Sequence, residues 1–201
     1  MIKIQKYAEV EPDFFKGRNF GDSNEVVNTV LNEVMNKGDA ALRVYGQKFD
    51  VAVPANFEVP QEELKAAADK LKIEKRDVYD AIVYSHDLAL KFAKLQRKSF
   101  TDFEEELAPG LITGQRTIPV ERAGCYVPAG RFPLVSTVVM TVTPAVAAGV
   151  KEVILCTPPR VHPDDKVAAG RNSSGIPGNA YVGGKPYADE GIMAAAYICG
   201  V

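Results

Sequence analysis

The residue types of a ligand-facing turn are concentrated in Ala123-Gly-Cys-Tyr-Val-Pro-Ala-Gly-Arg131. Pro128 restricts the backbone and Gly130 permits positive φ, which predicts a stiff turn whose amides can face a ligand. Ser136 stands where a helix is expected to begin, and helix N-termini favour anionic groups such as a pyrophosphate. Arg131 could add a charge-assisted contact to the same group. A plain strand-to-helix turn with no ligand fits these residues equally well. The dinucleotide fingerprint G-x-G-x-x-G is absent, so the turn alone does not name a ligand.

Other chemistries find less support. The chain has 2 histidines, His86 and His162. His86 falls mid-helix beside Tyr84 and Asp87 and reads as a solvated or internally satisfied side chain. His162, next to Pro163-Asp-Asp165, suits a divalent cation in kind, but it lacks further partners. No metal ligand is assigned. The acidic run Asp102, Glu104, Glu105 and Glu106 reads as a solvated face. No Ser-His-Asp or Cys-His set can be assembled, so no catalytic residue is assigned either. Cys125, Cys156 and Cys199 are odd in number and widely spaced, which argues against a disulfide framework. Cys156 and Cys199 lie in apolar runs and are expected to be inert core thiols.

The whole-chain balance, 46% hydrophobic and 25% charged, is ordinary for a soluble globular protein. A formal net charge of −2 gives no basic footprint for nucleic acid. No apolar run approaches the roughly 20 residues of a membrane span. The first residues lack the apolar core of a secretory signal, so the expectation is a cytoplasmic protein.

Stepping outward from the turn, Val120 to Val127 predicts the strand that leads into it. A helix over 137–149 follows, rich in Val and Ala and interrupted by Pro144, and then a short strand at Glu152-Val-Ile-Leu-Cys156 that looks buried on both sides. Ligands of open α/β sheets collect at the carboxyl ends of such strands. Upstream, Ser23 or Asn24 is expected to cap a helix carrying Val26, Val27, Val30, Leu31 and Val34, with Gly38 at its end. A second helix starts at Asp39, and a short extended piece lies between Val53 and Val59. Helices follow over 61–71 and 74–97, the latter amphipathic through Val78, Ala81, Ile82, Ser85, Leu88, Phe92 and Leu95. Ala108-Pro-Gly110 predicts a hairpin turn.

The expected architecture is therefore α/β: a helical N-terminal arm, 1–100, then the start of an incomplete Rossmann-like parallel-sheet domain, 101–201. The Gly- and Pro-rich segment 161–189 is expected to be an irregular insertion without regular elements. Order returns with a helix from Asp189 to Cys199. The chain is expected to be truncated, because a further strand should follow.

The run Gly124-Cys-Tyr-Val-Pro-Ala-Gly-Arg-Phe-Pro-Leu-Val-Ser-Thr-Val-Val-Met140 resembles the histidinol dehydrogenase family, whose pattern is close to G-x-Y-x-P-G-G followed by P-x-x-S-T-V-x-M. Lys37-Gly-Asp-Ala-Ala41, Cys156-Thr-Pro-Pro159 and Ala195-Ala-Tyr-Ile-Cys-Gly-Val201 extend the likeness. The resemblance implies a homodimeric, zinc- and NAD-dependent alcohol dehydrogenase that oxidises L-histidinol through the aldehyde to L-histidine. It also implies that Tyr126 contacts NAD. Ala129 stands where the family pattern has glycine. The family's zinc ligands and acid/base pair come after the point where this sequence ends, so the chain alone is expected to lack a complete active site. A sulfopropanediol dehydrogenase branch of the family, and a non-catalytic remnant or binding module, remain as alternative readings.

Overall fold

The computed structural model describes residues 21–50, 52–129, 132–160, 181–183 and 188–201. These divide into two compact units, at Tyr45 and Gly46. The composition changes near Thr101, but packing divides the chain much earlier. Helices from the first hundred residues share the core of the second unit.

The first unit holds α1, Gly21–Lys37, and the start of α2, Asp39–Phe49. Ser23 and Asn24 fall inside the first turn of α1 and do not precede it, because the helix begins at Gly21. Gly38 takes φ 55 between the two helices, a conformation glycine adopts without steric cost. Glu33 accepts hydrogen bonds from Tyr45 and Lys37, and the two hold its carboxyl below the usual range.

In the second unit, α3 (Gln61–Glu74), α4 (Arg76–Lys98), α5 (Val135–Ala148) and α6 (Glu190–Cys199) pack together. Strands β4 (Arg122–Tyr126) and β5 (Glu152–Cys156) form a parallel pair, and α5 lies against both. A hairpin joins β2 (Phe103–Ala108) and β3 (Leu111–Gln115). β1 (Ala52–Pro54) pairs in parallel with β6 (Tyr181–Gly183). That last pairing corrects the expectation that 161–189 holds no regular element. Tyr181 and Val182 are aromatic and β-branched, types that suit a strand, and their signal was outweighed by the surrounding Gly and Pro. Residues 161–180 and 184–187, with His162, Asp164 and Asp165 among them, lie outside the described residues.

The core is made of small and medium side chains. Val138 and Val142 of α5 and Ala194 and Ala195 of α6 have no exposed surface. Each fully buried Val contributes roughly 1.5–3 kcal/mol. The alanines let α6 lie close to its neighbours, and α6 is buried nearly all round, as a helix apolar on every side must be. Gly149 and Gly200, both at φ 88, end α5 and α6 in the left-handed conformation and donate back to the last-turn carbonyls. α5 runs through Pro144 without a break.

The face that α4 buries shares only Ile82 with the expected stripe. Val78, Leu88, Phe92 and Leu95 are exposed, while Ile82 and Ala93 are buried and Tyr79 and Ala89 pack on the core. Positions 79, 82, 86, 89 and 93 alternate by three and four, so they form one helix face. The alanines on it permit the close approach to α5 that bulkier residues would block. His86 sits on this face, with its Nδ1 3.1 Å from Thr143 Oγ1. Thr143 is fully buried and also bonds the Cys199 thiol, so one hydroxyl links α4, α5 and α6. Burial pushes the Cys199 thiol up, and the Thr143 hydrogen bond opposes this only in part.

Candidate functional site

β4 and β5 run in register from Arg122 opposite Glu152 to Tyr126 opposite Cys156. At the amino end, Arg122 Nε donates to Glu152 at 2.5 Å. At the carboxyl end, Val127 N donates to Cys156 O at 2.8 Å and carries the ladder one residue further. Burial alternates along both strands. Cys125, Val127, Val153 and Leu155 pack on the helices, whereas Gly124, Tyr126, Ile154 and Cys156 are exposed. The expectation of a strand buried on both sides therefore fails for β5. So does the expectation of a core thiol at Cys156, which is exposed. Among the described residues the helices cover one face of the pair, and period-two geometry turns Cys156 to the other.

Tyr126 is the last residue of β4 and is 62% exposed, on that uncovered face. The chain then turns inward. Val127 and Ala129 are buried, Pro128 is partly so, and Leu134 N donates to Pro128 O at 3.1 Å, closing the turn. Ala129, where the family pattern has glycine, has its methyl group in the core, and no non-glycine residue among those described has positive φ. Gly130 and Arg131 lie outside the described residues.

Two helices begin beside this turn, and their entrances differ. α6 is capped by Asp189, whose Oδ1 accepts from Gly191 N at 3.0 Å and Ile192 N at 3.3 Å. α5 is preceded by Leu134, and no side chain caps it among the described residues. Ser136 is the second residue of α5 and not its cap. Thr137 N donates to Leu134 O at 2.9 Å, and helix geometry leaves the two amides before it, Val135 and Ser136, without intrahelical acceptors, so they can donate to something outside the helix. The two entrances are neighbours: a Cβ placed on Gly191 would stand 3.2 Å from Val135 Cγ2. Just after β5, Thr157 Oγ1 is buried with no hydrogen-bond partner among the described residues. A buried, unpaired hydroxyl is costly and marks a place where a partner is wanted.

Sequence reasoning singled out Tyr126 and the turn but not Thr157, Arg160 or the capping role of Asp189. Arg160 Nη1 donates to Ala129 O at 3.1 Å, and its Nε lies 4.0 Å from Asp189 Oδ2. An Asp immediately before an apolar helical run is a legible cap signal. The Arg160 contact joins residues 31 apart and leaves no local pattern. An open hollow of about 580 Å³ lies elsewhere, at the root of the hairpin between Asp102 and Arg116. It does not include Tyr126, the α5 entrance or Thr157.

The family described as histidinol dehydrogenase matches residues 16–197. A histidinol dehydrogenase from Methanosarcina mazei is 37% identical over 201 residues, covering 96% of this chain and 46% of the relative. A sulfopropanediol 3-dehydrogenase from Ruegeria pomeroyi is 39% identical over 143 residues, covering 69% of this chain and 31% of the relative. The crystal structure of histidinol dehydrogenase from Elizabethkingia anophelis superposes with a TM-score of 0.67 at 26% identity, over 99% of this chain and 36% of that one. The chain thus spans about half the length, or less, of the relatives it matches.

Proposed function

The chain belongs to the histidinol dehydrogenase family, and from that premise we propose that it forms the cofactor-facing wall of an NAD- and zinc-dependent dehydrogenase that oxidises L-histidinol to L-histidine. The observation that carries the reading is the pairing of an exposed Tyr126 with the uncapped entrance of α5 at one end of the parallel pair. The residues present fit the anionic part of a dinucleotide in kind. The α5 amides supply donors, Thr157 Oγ1 supplies a buried hydroxyl in need of a partner, and Tyr126 offers a ring with a polar tip. When bound, NAD would supply the hydride acceptor. In this reading the chain's own residues bind and orient, with the amides holding negative charge and Tyr126 bounding the cofactor on the uncovered face.

Among the described residues no group of three or more His, Cys, Asp and Glu gathers to hold a metal. In this reading the zinc ligands and the acid/base pair come from the remaining length of the family's proteins. The same proposal includes a homodimer and a cytoplasmic setting. Among the described residues no helix is long and apolar enough to cross a membrane.

A sulfopropanediol substrate is the second reading, favoured by the 39% identity to the Ruegeria pomeroyi protein. The longer match to the histidinol enzyme, 96% of this chain against 69%, weighs toward histidinol. The test is NAD reduction by this chain with either alcohol, alone and mixed with the remaining portion of a relative. The expected result is no turnover alone and turnover with L-histidinol on mixing. Turnover by the chain alone would overturn the incomplete-site reading, and turnover with sulfopropanediol only would select the second substrate. Reconstitution that fails with both alcohols, although the mixed portions assemble, would favour a non-catalytic binding module.

A further inference from the structure

We propose that Arg160 is a positioning residue for the cofactor-facing turn, an inference that rests on the reading of that turn given above. The guanidinium touches two separate parts of the site. Nη1 donates to the carbonyl of Ala129, inside the turn that Leu134 N and Pro128 O close. Nε faces Asp189 Oδ2 at 4.0 Å, while the other oxygen of the same carboxylate caps α6. One side chain thus ties the loop after Tyr126 to the entrance of α6, from its own place in the loop after β5.

Chemistry favours arginine in this role. Its planar fork can donate to a carbonyl and face a carboxylate at once, which a point-like ammonium does less well. The Arg160 side chain is 34% exposed and that of Asp189 20%, so the link is shielded from full hydration. A positive charge beside a helix N-terminus is unfavourable by itself, and Asp189 between Arg160 and the α6 amides offsets it. Ala129 is buried and cannot move outward without uncovering its methyl group. Fixing its carbonyl therefore fixes the path from Tyr126 to Ala129, and the bond from Leu134 N to Pro128 O passes that constraint to the start of α5.

Hydrogen exchange and NAD titration of the whole chain test this with Arg160→Gln and Arg160→Lys. For Arg160→Gln, amides of 127–135 should exchange about tenfold faster, with the interiors of α5 and α6 unchanged, because one charged hydrogen bond is lost locally. Its NAD dissociation constant should rise about tenfold. Arg160→Lys should retain most of both properties. Unchanged exchange at 127–135 in Arg160→Gln would overturn the inference, as would equally faster exchange throughout α5 and α6 in both variants. Absence of NAD binding by the unmodified chain would instead count against the cofactor reading, and the exchange pattern would still decide the role of Arg160.

Discussion

The entrances of α5 and α6 lie side by side at the carboxyl end of the parallel pair, yet only one is closed. Asp189 occupies the amides of α6, while the amides of α5 follow Leu134 and meet no capping side chain among the described residues. A helix whose entrance is satisfied internally has a structural end. One left open at the same end of the strand pair as an exposed tyrosine and an unpaired buried hydroxyl is suited to a ligand. In the proposed reading the difference between them separates scaffold from site.

The largest expected effect comes from opening the closed end. Asp189→Ala removes both cap bonds and should destabilise the chain by about 1–2 kcal/mol, read as a lower urea midpoint. An unchanged midpoint would show that the α6 entrance is no more dependent on its cap than the α5 entrance, and the contrast would fail. Closing the open end is the converse. Leu134→Asp places a capping carboxylate before α5, at a residue already 45% exposed. It should stabilise the fold by about 0.5–1 kcal/mol while weakening NAD binding, since the carboxylate competes for the same amides and repels an anion. A variant that is stabilised but binds NAD as before would remove the α5 amides from the site.

This contrast was only half legible in the sequence. Tyr126, Pro128 and the helical run behind them carry local signals, and the order strand, turn, helix, strand follows from hydrophobic pattern and turn chemistry. Which face of each element is covered does not. Cys156 reads as a core thiol because its neighbours are apolar, and the leading stripe of α4 reads as its packing face because its residues are large. In the structure the helices cover one face of the strands, and α4 approaches α5 through Ala89 and Ala93 with Tyr79 and Ile82 beside them. Those outcomes depend on tertiary packing, which a local pattern does not encode. Thr143 is a similar case. Its value lies in reaching His86, 57 residues away, and Cys199 on a third helix.

The central claim is that the Tyr126 turn and the α5 entrance face NAD. The most direct test is an NAD titration of the isotope-labelled chain, followed at the amides of 126–137, beside the same titration of Tyr126→Ala. Saturable shifts confined to those amides and Thr157 are expected, with about a tenfold higher dissociation constant in Tyr126→Ala and unchanged folding. Equal dissociation constants for the two proteins, or shifts clustered at the hairpin root, would contradict it.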